Sequence, residues 1–375
     1  MEEGTKHPKV VHLTTVHSPF DVRIFHKECV SLAQTGYDVT LIQRGEQAET
    51  VKGVRIEPLP TYSSRIARMT KGVWRAISLA RRHKPDIVHF HDAELIWGVA
   101  LLKLLGTKVV YDVHEDLAKD LEDKAYLPRW AIAPIRLAVH GTEAVAVNLF
   151  DRISAATTSI HRRFPERCTT LVRNTPILGE LSLTDPPPFR ERGMNVVYLG
   201  GLAALNNPIT MIAAVDKVPV SLNPRLILGG TFPDPEVEKE VRAHPGWARV
   251  DYRGWVDRTQ IGPIFAKARC GLVLYKPSPN VVDAEPNKFF ELLSAGVPII
   301  ASAFPVWKNL VERLGCGIAV DPMDADAVAE AIAFMLANPD EAEAMGKRGQ
   351  EAVLSDYNWS HDAAKLVALY RDLQA

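Results

Sequence analysis

Cysteine is scarce in this chain. Cys29, Cys168, Cys270 and Cys316 are the only four in 375 residues, and no two stand close enough to make a C-x-x-C pair. That excludes a disulfide framework and a cysteine-built zinc site, and it fits a reducing cytoplasm. Long apolar runs are missing as well: none reaches the ~18 residues a membrane span needs. The opening MEEGTKHPKV is too charged to read as a signal peptide. An excess of one charge is also missing, because 44 Lys and Arg face 45 Asp and Glu for a net charge of −1. A protein that grips nucleic acid through bulk charge is therefore excluded, and partners must be recognised locally. No G-x-G-x-x-G follows the first strand of either half, which disfavours a dinucleotide oxidoreductase. No D-x-D or ligand cluster stands out at the candidate strand ends, so neither a metal nor a resident cofactor is expected.

The chain is longer than the ~250–300 residues at which single cores stop growing, so two domains are expected. Short β-branched runs start near Val10, Tyr37, Asp86, Thr107, Arg152 and Thr169, with helical stretches between them. A second set starts near Met194, Pro224, Ala248, Arg269 and Val297. Alternation of this kind predicts an α/β fold of two Rossmann-like, doubly wound domains facing a central cleft. Between the sets, GELSLTDPPPFRERG carries three consecutive prolines that block helix and central strand alike. The expected division is residues 1–178, a linker over 179–193, and residues 194–356, with a final helix over 357–375 returning to the first domain.

Parallel sheets bind ligands beyond the carboxyl ends of their strands. In the first half those positions hold His17, Asp21, Arg23, His91, Asp92, Asp112, His114 and Glu115; in the second they hold Gly200, Gly201 and the segment 281–291. Within that segment, Pro286 suits the first turn of a helix, leaving the amides of Asn287, Lys288 and Phe289 as unpaired donors beside the Lys288 ammonium. That is a phosphate site. Glu291 sits among Phe289, Phe290, Leu292 and Leu293, where an ionised acid is costly without a partner. It either pairs with Lys288 on the helix surface or accepts hydrogen bonds from a bound ligand such as a ribose.

Asp283 and Glu291, seven residues apart, followed by SAGVPIIAS, resemble the donor-site signature of GT-B retaining glycosyltransferases of the family-4 ("group 1") type, in the branch with PNK before the glutamate. HSPFDVRIFHKECVSLAQTGYDVTLI, VHFHDAEL, VVYDVHED and the closing YNWSHDAAKLVALYRDL resemble other parts of the same family, so the likeness spans nearly the whole chain. The resemblance implies transfer of a sugar from a nucleotide-diphosphate sugar to a hydroxyl of a glycan, lipid-linked glycan or small molecule, with retention and without a metal. It also implies that Glu291 binds the ribose, that Lys288 with its neighbouring amides and Gly200, Gly201 and Asn206 binds the diphosphate, and that Asp283 and His114 meet the transferred sugar. His17, Asp21, Arg23 and Asp92 fall on the acceptor side. His114 has an alternative as a structural turn histidine, and Asp21 as a helix cap. Gly201 and Asn206 stand where the family often carries Arg or Ser and Lys or Arg, so an inactive partner protein stays open beside the transferase, as does a nucleotide-sugar epimerase.

Between Ser64 and Lys84 there is no acidic residue. At helical spacing Arg68, Lys71, Arg75 and Arg82 share one face and Ile66, Met69, Val73 and Ile77 another, so the stretch is either a solvated basic helix or a surface for an anionic membrane. Residues 1–180 carry roughly +4 and the remainder roughly −5. A cytoplasmic protein is the expectation, peripheral to the inner face of the plasma membrane where the second of these two readings holds.

Overall fold

The structure is a computed structural model that describes residues 7–114, 129–181 and 185–374. The chain divides into two compact units, unit 1 from Met1–Asn174 with Ser360–Ala375, and unit 2 from Thr175–Trp359. The first boundary thus precedes the proline-rich stretch. Leu181 and Phe189, on either side of it, are buried in the cores of unit 2, which anchor it there.

Unit 1 is built on an eight-stranded sheet in the order β3-β4-β2-β1-β5-β6-β7-β8. The strands are β1 (Lys9–Leu13), β2 (Asp38–Arg44), β3 (Glu49–Val51), β4 (Val54–Leu59), β5 (Ile87–Phe90), β6 (Lys108–Val113), β7 (Arg152–Ala155) and β8 (Thr169–Leu171). All neighbours run parallel except β3 and β4. The two-residue period of a strand sorts its side chains between faces. Val11, Leu13, Val88, Phe90, Val109 and Tyr111 enter one hydrophobic core. His12, His89 and Asp112 therefore point to the other face, where they meet helix α1 (residues 22–34) and the final helix α8 (Trp359–Gln374).

The first core is covered by α2 (residues 65–83), α3 (Ile96–Leu104) and α4 (Arg129–Leu149). Gly98 lets α3 approach α2 closely, since a Cβ there would stand 2.7 Å from Ile77. Half of the apolar stripe that the sequence offered to a membrane is consequently core, because Val73 and Ile77 are buried. Arg68 is likewise engaged, with two hydrogen bonds of 3.0 and 2.9 Å to Glu94.

Unit 2 carries a six-stranded parallel sheet in the order β11-β10-β9-β12-β13-β14. Its strands are β9 (Asn195–Leu199), β10 (Arg225–Gly229), β11 (Val250–Gly254), β12 (Cys270–Val273), β13 (Ile299–Ser302) and β14 (Gly317–Val320). Three of its helices matter below: α5 (Pro208–Lys217), α6 (Arg258–Phe265) and α7 (Asn287–Ser294). Among the described residues, no helix is long and apolar enough to cross a membrane.

Candidate active site

The carboxyl ends of β1, β5 and β6 lie side by side and bring His17, His91, Asp92 and His114 together. Asp92 is buried and accepts hydrogen bonds from the amide of Thr15 (2.6 Å) and the hydroxyl of Thr14 (2.9 Å). Its other oxygen lies 3.4 Å from His17 Nε2. The rings of His17 and His114 are 4.9 Å apart.

Behind them runs a continuous chain of buried hydrogen bonds. His89 Nδ1 meets the Tyr370 hydroxyl at 2.8 Å, which meets His12 Nε2 at 3.3 Å. His12 Nδ1 meets His91 Nε2 at 3.0 Å, and His91 Nδ1 meets Asp112 at 3.1 Å. Burial holds all three of these histidines well below the ordinary imidazole range, so each is neutral and has one donor and one acceptor nitrogen. One direction then satisfies every link: each Nδ1–H donates, each Nε2 of His12 and His91 accepts, and the chain ends on a carboxylate. Asp112 also accepts from His114 Nε2. That bond orients the His114 ring through its Nε2. Glu115, a second candidate to orient the ring, lies outside the described residues.

Arg23 occupies a different place from the acceptor contact expected of it. Its guanidinium is buried, donating to Asp112 at 2.6 and 3.0 Å and to the Val172 carbonyl at 2.8 Å, with Glu28 at 3.1 Å. Burial works to raise the Asp112 carboxyl, but Arg23 and His114 outweigh it and hold the group well below the usual carboxylate range. Glu28 goes the other way: burial and the nearby Asp112 push it well above that range against the pull of Arg23. Asp21 caps α1, accepting from the amides of Arg23 (2.9 Å) and Ile24 (3.0 Å). Glu28, His89, His91 and Asp112 each bring one ligating atom within 4.8 Å of the others. They do not fit a divalent ion, because the Arg23 guanidinium already lies against both carboxylates and a second cation there would be repelled.

In unit 2 a cavity of about 240 Å³ opens at the carboxyl ends of β9 and β10, between two glycine pairs, Gly200-Gly201 and Gly229-Gly230. Gly200 and Gly230 have φ of +149° and +140°, a region closed to most side chains. A Cβ on Gly230 would meet the Gly200 carbonyl at 1.8 Å, and one on Gly200 would meet Lys288 Nζ at 2.6 Å. The glycines thus bring the backbone and an ammonium to the same wall. Lys288, near the start of α7, donates to the Tyr198 hydroxyl at 2.9 Å and lies 4.3 Å from that ring and 4.9 Å from the ring of Tyr275. Burial opposes its charge, yet these phenols outweigh burial and hold the ammonium above the ordinary lysine value. Among the described residues no carboxylate pairs with it, so a half-buried positive charge faces the cavity without a counter-ion there.

Glu291 lines the same cavity, and its partner is Arg258 of α6 at 2.9 Å rather than Lys288. Arg258 also holds Glu180 at 2.7 Å. Three other expectations change. The amide of Phe289 donates to Pro286 at 3.0 Å and its ring is core, so of the expected donors only the amides of Asn287 and Lys288 begin the helix unpaired in it. Asn206 turns its side-chain oxygen back to the amide of Ala203 (3.2 Å), closing its own turn. Asp283 lies half-buried on the loop after β12, a loop tied down by the Trp307 indole donating to Ala284 at 2.7 Å. Neither Asn206 nor Asp283 lines the cavity. Gly229, Gly230 and Arg258 were missed in the sequence, although "LILGG" repeats the Gly-Gly ending of "VVYLGG" and signals the second pair.

Residues 22–174 match the glycosyl transferase 4-like domain and residues 211–368 match the glycosyl transferase-like model. Among curated proteins, glycogen synthase of Mycobacterium tuberculosis is 21% identical over 93% of this chain and 90% of that protein. A GDP-mannose-dependent alpha-(1-6)-phosphatidylinositol monomannoside mannosyltransferase of the same organism is 39% identical over 83 residues, a segment that spans 22% of this chain and 22% of the relative. Sucrose-phosphate synthase from Thermosynechococcus elongatus superposes with a TM-score of 0.78 at 20% identity, over 98% of this chain and 99% of the other. Anabaena HepE, solved in complex with UDP-glucose, gives 0.74 at 12% identity, over 98% and 100%. These likenesses and the two parallel sheets define the class, a GT-B glycosyltransferase. Within it the chain belongs to the family-4 ("group 1") type, a family of nucleotide-sugar-dependent, retaining hexosyltransferases.

Proposed function

We propose that this protein transfers a sugar, with retention, from a nucleotide-diphosphate sugar bound by unit 2 to a hydroxyl of a glycan or lipid-linked acceptor received by unit 1. The observation that carries the reading is the half-buried Lys288 ammonium, which faces a glycine-walled cavity and, among the described residues, has no carboxylate partner. A charge partly withdrawn from water and left without a counter-ion favours an anionic ligand. A diphosphate supplies two anionic groups, and glycine backbones admit it closely. As the glycosidic bond breaks, negative charge grows on the diphosphate, and a preorganised ammonium stabilises it without reorganisation.

Glu291 suits the ribose hydroxyls, with Arg258 holding its carboxylate in place beside the cavity. Lys288 and the amides that begin its helix are assigned to the phosphates. On unit 1, His114 offers Nδ1 to a substrate hydroxyl while Asp112 fixes the ring. His17 and Asp92 form the remaining acceptor-side pair. A calorimetric screen of UDP, GDP, ADP, CDP and dTDP tests the reading. Saturable binding of one of them is expected, and no binding by any would contradict it.

A further inference from the structure

Helix α3 is apolar except for Lys103, which is paired with Asp151, and a helix this apolar is ordinarily buried on every side. One side of it does face the core, through Ile96, Val99 and Leu102. The opposite side is a stripe at helical spacing, Trp97, Leu101 and Leu104, which are 60%, 43% and 73% exposed. The stripe continues onto the flanking helices, with Trp74 on α2 and Trp130 and Leu137 on α4 all exposed. Single exposed apolar side chains are ordinary, but an apolar stripe on one helix flanked by exposed tryptophans on the two helices packed against it marks a binding surface.

The charges around it identify the occupant. Between Ser64 and Lys84 stand seven lysines and arginines and no acid. The nearest acids on these helices are already taken: Glu94 by Arg68 and Glu143 by Arg163. A concavity of about 850 Å³ at the amino-terminal end of the sheet is lined by two of these, Arg81 and Lys84, and adds Lys108; the one acid in its lining, Asp86, accepts from the Lys9 amide at 2.8 Å. A second copy of the chain docked symmetrically on this face would set cation against cation. An anionic bilayer meets both features, with tryptophans at the headgroup level, leucines below them and basic side chains on the phosphates.

We infer that the α2–α3–α4 face of unit 1 docks on the interface of an anionic lipid bilayer. Each of these helices returns from the carboxyl end of one strand toward the amino end of the next. Ile66, Trp97 and Trp130, near the helix starts, therefore lie at the same end of the sheet as His17, Asp92 and His114. Docking brings the acceptor-side residues to the lipid surface, and the acceptor class it favours, a hydroxyl on a lipid headgroup, rests on the transfer reading above. The docking itself does not.

The test floats the full-length protein with vesicles of phosphatidylcholine alone or with ~30% phosphatidylglycerol at about 0.15 M salt, without any nucleotide. We expect at least about tenfold stronger partitioning onto the anionic vesicles. The double substitution Leu101→Glu with Leu104→Glu, and separately Arg75→Glu with Arg82→Glu, should each reduce it about tenfold or more. These side chains are exposed, so both variants should melt at the wild-type temperature. Absence of wild-type binding to either vesicle overturns the inference, as does unaltered binding by both variants. Light scattering that shows a dimer dissolved by the leucine substitutions also overturns it, in favour of a second copy on this face. Nucleotide affinity, measured apart, keeps this outcome separate from the donor reading.

Discussion

At the carboxyl end of its sheet unit 1 gathers His17, His91, Asp92 and His114 over a buried network, whereas unit 2 leaves two glycine pairs and one lysine around an open cavity. In unit 1 the charges satisfy each other: Arg23 answers Asp112, and His12, His89 and His91 are neutral and linked by hydrogen bonds through Tyr370. Such a region is fixed before any substrate arrives, which suits orientation of a single ring, His114. In unit 2 the Lys288 charge is met, among the described residues, by phenols and by no carboxylate, and glycines form the wall beside it. That region is completed by what it binds. The same sheet architecture therefore supports one site that is closed on itself and one that awaits an anion.

Substitutions that remove a charge should separate the two. The largest effect is expected at Arg23. Arg23→Met leaves Asp112 and Glu28 buried without their cation, a loss of about 3–5 kcal/mol in unfolding experiments, while nucleotide binding by the folded fraction is kept. A change below about 1 kcal/mol would mean that the network does not depend on its cation.

Acid should act on unit 1 next. The folded-state values of His12, His89 and His91 are lowered, so below about 6.5 the unfolded chain binds protons that the folded chain does not, and stability is lost as pH falls. Glu28 is raised, so above about 4.3 it opposes this with one proton held by the folded chain. The balance is two protons, a fall of up to about 3 kcal/mol per pH unit below 6.5. Denaturant titrations between about pH 7 and pH 5 measure it, and a flat profile would place the histidines outside a buried neutral chain.

The smallest loss of stability belongs to unit 2. Gly200→Ala puts a Cβ against the Lys288 ammonium at positive φ, costing about 1–2 kcal/mol of stability. Nucleotide affinity should fall about tenfold, because the ammonium is displaced from the cavity. Full affinity in that variant would show that the wall is not where the ligand sits.

The parallel architecture was legible in the β-branched runs, and the Gly200, Gly201, Lys288 and Glu291 positions converge on one cavity. What escaped did so for physical reasons. Strands β3 and β4 carry Glu49, Arg55, Glu57 and Pro58, and β14 is the four-residue GIAV, so neither gives the apolar run that marks a central strand. Arg23 reads as a surface residue until its partner is known, and Asp112 is 89 positions away. Arg258 is 33 positions from Glu291, a distance at which a helix-surface pairing rule gives no hint. Local chemistry such as a glycine pair survives in sequence; long-range pairing does not.

The central claim is that Lys288 holds a diphosphate. The most direct measurement is a calorimetric comparison of the bound nucleoside diphosphate with its parent nucleoside, on the wild type and on Lys288→Met. The account predicts that the substitution weakens the diphosphate by about 1.5–3 kcal/mol and leaves the nucleoside unchanged, because a charge-assisted contact to phosphate is lost and nothing else. Equal losses for both ligands, or none for the diphosphate, would contradict it.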